Sequence, residues 1–262
     1  MTQPFRSGGV ATLLTSIAIL VCSLGAVARA GSDPRGSGAK LSPAEKKTTL
    51  DLAHAARSAG DFPAAIAFYR RVAGPGADPL LQVEFADTLL QGGYVDDAIG
   101  VYQSTPPRSP AELGALLGLE RCYAQLGQSG RALDYARQAV AAAPDDEAAR
   151  VGLGVALDVV GRHAEAQGAY RVALASSPRS VAARSDLALS LSMTGQFDQA
   201  IDLLTPLARS ANGSPRVRQN LALIYGLKGD RLRALSMGSV DLATADAEAN
   251  LRFFDFVRAR TR

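Results

Sequence analysis

Val151–Pro178, VGLGVALDVVGRHAEAQGAYRVALASSP, is the stretch that decides the fold. Leu153, Gly154 and Leu157 recur at helical spacing, Gly161 closes that segment, and Ala166, Tyr170 and Ala173 line one face of a second segment that Pro178 stops. The stretch predicts a helical hairpin.

The same plan repeats on both sides. Glycines stand at the closing position at Gly60, Gly93, Gly127, Gly161, Gly195 and Gly229, separated by 33, 34, 34, 34 and 34 residues. A constant period of this length is a tandem array of six hairpins, each burying its apolar face against the next. Five residues after each glycine comes an alanine: Ala65, Ala98, Ala132, Ala166, Ala200 and Ala234. A side chain this small is needed where two helices cross with axes ~8–10 Å apart. Hydrophobic residues make up 47% of the chain and aromatics only 6%. That balance suits closely packed helices, and no long window alternates as a strand would.

The unit resembles the tetratricopeptide repeat. The resemblance rests on Leu153-Gly154, Leu187-Ala188, Leu221-Ala222-x-x-Tyr225, Gly60-Asp61-Phe62-x-x-Ala65 and Tyr170-x-x-Ala173-x-x-x-x-Pro178, and it covers residues 43–238. It implies an all-α fold: a right-handed superhelical solenoid of six helix-turn-helix repeats, read as one domain. The sequence departs from the repeat pattern in having no tryptophan, in Ala77 and Asn212 where a closing proline is expected, and in Gly238 where the sixth second helix should present an aromatic. That helix is expected to be short or rearranged.

Start signals occur at Ser42-Pro43-Ala44-Glu45 and again at Ser109-Pro110-Ala111-Glu112, where serine can cap the free amides and glutamate can reach back to the cap. Thr105–Pro110 holds three prolines and reads as a stiff joint between the second and third hairpins, and Asn212-Gly213-Ser214-Pro215 as the joint before the sixth.

Residues 1–30 read as an export signal: Arg6, a mostly apolar run from Val10 to Leu24, and the small-x-small site Ala28-Arg29-Ala30. The run is shorter than the ~20 residues of a spanning helix, which weighs against an uncleaved anchor. Cys22 offers a lipid-attachment alternative, disfavoured because Val21 stands where a small residue normally precedes the cysteine. Residues 31–42 read as a flexible linker rich in Gly and Ser. The expected location is the periplasm, with outer-membrane association left open. Cleavage after Ala30 removes Arg6 and Arg29 and brings the formal net charge from +3 to +1, so no electrostatic case for nucleic acid remains.

Residues 239–262 read as a helix from Val240 to Arg258 that caps the array or docks on a partner. Its apolar stripe is expected to be Leu242, Ala245, Ala249, Phe253 and Phe256, with Thr244, Glu248 and Asp255 on the polar back, where Leu251 also falls.

Catalytic constellations are not found. His54 and His163 lie in different hairpins with no Cys, second His or paired carboxylates beside them, Gly152-Leu153-Gly154 lacks the third glycine of a dinucleotide loop, and Gly127-Gln128-Ser129-Gly130 is not a nucleophile elbow. His163 is expected to pack, and Cys122 to be a buried small hydrophobe. No cofactor and no metal are expected, and the chain is read as a non-enzyme.

The chemistry is then carried by surface. The tetratricopeptide resemblance implies a concave groove lined by the first helices. The groove positions are Leu50, His54, Leu80, Val83, Leu90, Leu117, Arg121, Val151, Val155, Asp186, Leu189, Asn220 and Leu223. Leu50 and His54 stand where chaperone-binding relatives carry a cation and an amide for a C-terminal carboxylate. A protein partner presenting an apolar helix or extended segment fits this groove better.

Six repeats behind a signal, followed by Ala247-Glu248-Ala249-Asn250-Leu251-Arg252-Phe253-Phe254, resemble the TadD family of tight-adherence (Flp) pilus assembly proteins. The resemblance implies a cell-envelope scaffold supporting an outer-membrane secretin or pilus-platform subunit. A general periplasmic adapter and the repeat subunit of an enzyme complex are the alternatives.

Overall fold

The computed structural model describes residues 41–210 and 213–260. The expectations for the export signal, Cys22, Asn212 and the linker up to residue 40 lie outside these residues, while Ser42, the last residue assigned to the linker, belongs to the start of the first helix. Among the described residues there are thirteen α-helices and no strand, as the expected all-α repeat fold requires. Two compact units divide them, residues 41–135 and 136–260.

The first unit holds α1 (Pro43–Ser58), α2 (Phe62–Val72), α3 (Pro79–Gln91), α4 (Val95–Gln103) and α5 (Glu112–Gln125). α6 (Ser129–Ala142) contains the division. The second unit continues with α7 (Glu147–Val159), α8 (His163–Ser176), α9 (Val181–Met193), α10 (Phe197–Arg209), α11 (Pro215–Lys228), α12 (Arg231–Gly238) and α13 (Thr244–Arg260).

Local chemistry sets these boundaries. Glu45 N donates to Ser42 Oγ and Ser42 N to Glu45 Oε2, so the expected capping box starts α1. Asp61, Asp78, Asp146, Ser180, Ser214 and Asp230 cap later helices by accepting backbone N–H bonds. All six closing glycines have positive φ, from 69° at Gly127 to 96° at Gly229, a conformation that a side chain disfavours. The period is thus written in backbone as well as in packing.

The alanine column is buried throughout: Ala65, Ala98, Ala166 and Ala200 are 0% exposed, Ala132 2% and Ala234 3%. Four residues further on, Tyr69, Tyr102 and Tyr170 bury their rings almost completely. A Cβ on Gly118 would lie 2.2 Å from Tyr102 Cζ, and one on Gly154 would lie 2.4 Å from Tyr170 Cε1. Tyr102 and Tyr170 therefore each fill a notch that a glycine leaves in a first helix.

Two expectations are corrected here. The second start signal does not form a capping box, because α5 begins at Glu112 with Ala111 as an N-cap lacking a side-chain bond. Arg108 takes φ 59° and its N–H donates to Glu112 Oε2, which diverts the glutamate from any cap, and the buried Ser109 hydroxyl finds no partner. The prolines around it hold the joint in this turn rather than in a helical start.

The last helix also differs. α13 starts at Thr244, and its buried face is Ala247, Leu251, Phe254 and Val257, whereas Ala245, Ala249 and Phe256 are exposed. The face is chosen by the hole available to it. A Cβ on Gly226 of α11 would lie 2.2 Å from Phe254 Cδ2, so the absence of a side chain there admits the ring. α13 packs on α11 and α12, and α12 is short, at eight residues, as Gly238 suggested. Arg218 forks onto both oxygens of Asp241, fixing the turn between α12 and α13 and holding the Asp241 carboxyl below its ordinary range. No helix among the described residues is long and apolar enough to cross a membrane.

Candidate partner-binding face

Successive first helices touch: α3 meets α5 in the first unit, and α9 meets both α7 and α11 in the second. Within each unit, no comparable contact joins the second helices of neighbouring hairpins among the described residues. The first helices therefore form one closely packed layer of each unit, and the residues expected to line a groove all lie on them.

In residues 41–135 this face is ionic. Glu84 on α3 pairs with His54 of α1 at 2.8 Å and Arg57 at 3.5 Å, and accepts the Tyr69 hydroxyl at 2.9 Å. Burial, first, and the adjacent Glu84 push that hydroxyl up to about 12. Asp87 accepts Arg121 Nη2 of α5 at 2.8 Å and the Tyr102 hydroxyl at 2.6 Å, and burial again leads in raising the phenol. Arg57 Nε reaches Gln91 Oε1 at 3.4 Å. His54 and Arg121 are thus committed to partners within the unit.

The apolar candidates in this unit divide. Leu80 is 55% exposed, Leu50 and Leu90 are half-buried against the core, and Leu117 is half-buried. Val83 is a correction: at 9% exposed it belongs to the core, with its Cγ1 3.1 Å from where a Cβ on Gly114 would stand. The missing side chain at Gly114 draws it inward.

In residues 136–260 the equivalent face is apolar along its middle. Val155 of α7 is 38% exposed, and Leu189 of α9 and Leu223 of α11 are half-buried at the same register. Val151, Asp186 and Asn220 are half-buried beside them. Asp158, three residues after Val155 on α7, is the polar hub. Its Oδ1 lies 2.8 Å from His163 Nδ1 and accepts the Ser190 hydroxyl at 2.8 Å, while Oδ2 accepts the Tyr170 hydroxyl at 3.1 Å. His163 accordingly is a hydrogen-bonding partner as well as a packing residue. Asp186, one first helix on, is pushed up to about 6, chiefly by burial, with Arg216 opposing and Asp158 adding to the shift.

Glu84 was missed, and so were the tyrosine hydroxyls as ligands of the first-helix carboxylates. The signal was present in register, since Glu84 shares its column with Asp186 and Asn220, and Tyr69, Tyr102 and Tyr170 all stand nine residues after a closing glycine.

Among the described residues, no three His, Cys, Asp or Glu side chains converge as a metal site, and Cys122 is buried with its thiol pushed up to about 11 by burial. The arrangement presents shape, apolar area and fixed charges.

Two family models described as tetratricopeptide repeat match this chain, over residues 117–181 and 160–224. A comparison with curated proteins finds no match. Among solved structures, TTC0263, a thermophilic tetratricopeptide repeat protein of Thermus thermophilus, is 22% identical with a TM-score of 0.58, the match covering 68% of this chain and 98% of that one. A tetratricopeptide repeat protein from Parabacteroides merdae is 17% identical with a TM-score of 0.60, covering 73% and 77%. A MamA structure is 24% identical with a TM-score of 0.50, covering 63% and 96%. At these identities the likeness speaks to the fold. Together with the positive-φ hairpins and the buried alanine column, these matches support a tetratricopeptide repeat protein.

Proposed function

We propose that this chain is a non-enzymatic scaffold that holds a protein partner on its first-helix face, through the apolar row of residues 136–260. Tetratricopeptide repeats imply protein–protein interaction, and the fold is generally a non-catalytic interaction scaffold. The observation that carries the placement is the register of Val155, Leu189 and Leu223, which offers apolar surface on three successive first helices of one unit.

The cellular setting we propose is the bacterial envelope. Residues 1–30 serve as an export signal and 31–42 as a tether, residues 43–238 as the repeats, and 239–262 as the terminal helix. The resemblance of Ala247–Phe254 to the tight-adherence family supports a role in assembling a Flp-type pilus or its secretion apparatus, with a secretin or pilus-platform subunit as partner.

Affinity purification of the tagged protein from gently solubilised envelopes tests this, comparing wild type with Val155→Asp and Leu189→Asp. Recovery of a secretin or pilus-platform subunits with wild type alone supports the reading. Recovery of an unrelated envelope complex removes the pilus and leaves the scaffold.

A further inference from the structure

The repeat register aligns His54, Asp87, Arg121, Val155, Leu189 and Leu223 at one position of successive first helices. The two units treat the carboxylates around that position differently. In residues 41–135, Glu84 and Asp87 each have an arginine partner. In residues 136–260, Asp158 is held instead by His163, a phenol and a serine hydroxyl.

Asp186 goes further. It forms no ion pair among the described residues, and Arg216, the cation acting on it, does so without direct contact. Its carboxyl is pushed up to about 6 because burial outweighs the opposing charge of Arg216. Asp186 and Asp158 also lie close enough to act on each other, the Ser190 bond to Asp158 holding α9 against α7. Two carboxylates on adjacent first helices therefore stand in register with Val155 and Leu189, three residues from each, and one of them, Asp186, has no ion-pair partner among the described residues.

Resting on the scaffold reading above, we infer that the face of residues 136–260 takes a partner segment with a lysine or arginine set between apolar side chains. The apolar groups lie on Val155, Leu189 and Leu223, and the cation seats over Asp186 with Asp158 behind it. Charge complementarity selects this occupant over an acidic one, since an incoming carboxylate would meet two like charges. The self-paired face of residues 41–135 has no such demand, because Arg57 and Arg121 already fill that role.

Random dodecapeptides displayed on phage and selected against the full chain test the inference. Asp186→Asn is the informative variant, because Asn220 occupies the equivalent place on the next first helix and shows that an amide is accommodated there. The expected result is enrichment of peptides with Lys or Arg between apolar residues, which bind Asp186→Asn about tenfold more weakly and lose binding to Leu189→Asp. Apolar peptides without a basic residue, indifferent to Asp186→Asn but abolished by Leu189→Asp, would overturn the cation site and keep the scaffold reading. An acidic consensus, or no enrichment sensitive to Leu189→Asp, would overturn both.

Discussion

Tyr170 occupies the space that Gly154 leaves empty, and from that seat its hydroxyl reaches Asp158 Oδ2 at 3.1 Å. A packing notch on α7 thus positions a polar hub of the first-helix face. Gly154→Ala would place a Cβ 2.4 Å from the ring. The helix-propensity gain of about 1 kcal/mol is smaller than the strain of displacing a buried, tethered ring, about 1–3 kcal/mol. The expected outcome is a lower urea midpoint, recovered in part by adding Tyr170→Leu.

Ala166→Leu tests the alanine column. Ala166 is fully buried where α8 crosses α7, and three extra carbons overpack the crossing by about 1–3 kcal/mol. Thermal unfolding should report a lower midpoint, and an unchanged one would contradict the helix crossing described.

Much of this was legible beforehand because the repeat demands the same residue type at the same place six times. The closing glycines and the alanines each solve a local problem, a left-handed backbone or a close crossing, that no distant residue can alter. Where the answer depended on a hole in a neighbouring element, sequence reasoning failed. Val83 turned inward because Gly114 offered space, and α13 buried Phe254 rather than Phe256 because Gly226 did. The hub role of Asp158 was invisible for a related reason, as its three donors come from α8 and α9 and converge only when the hairpins stack.

Glu120 breaks the repeat's own rule. It holds the register of Ala53, Ala86, Gly154, Ala188 and Ala222, yet carries a carboxyl that is 6% exposed and pushed up to about 7 by burial, Arg121 opposing. Because the folded-state value lies above the unfolded one of 4.5, stability is fully present below pH 4.5 and is lost as pH rises through 7. Glu120→Ala and Glu120→Gln should remove this dependence. Wild type is expected to lose on the order of 3 kcal/mol relative to them between about pH 4 and pH 8, read from urea midpoints.

Gly226→Ala should unseat the terminal helix. The added methyl would meet the Phe254 ring at 2.2 Å, and the ring is the largest side chain on the buried face of α13. Limited trypsin digestion should then cut after Arg252 and Arg258 at least about tenfold faster, as local opening becomes cheaper. Unchanged cleavage would mean that α13 is held by other contacts.

The central claim, that a partner is held on the first-helix face of residues 136–260, is tested most directly by two valines of equal exposure on opposite sides of a hairpin. Val155 on α7 is 38% exposed and Val172 on α8 is 39% exposed. Quantitative capture of the partner recovered with wild type should fall at least about tenfold with Val155→Asp and stay unchanged with Val172→Asp, both variants keeping the far-ultraviolet helical spectrum. Loss with Val172→Asp and retention with Val155→Asp would place recognition on the second helices and contradict the account.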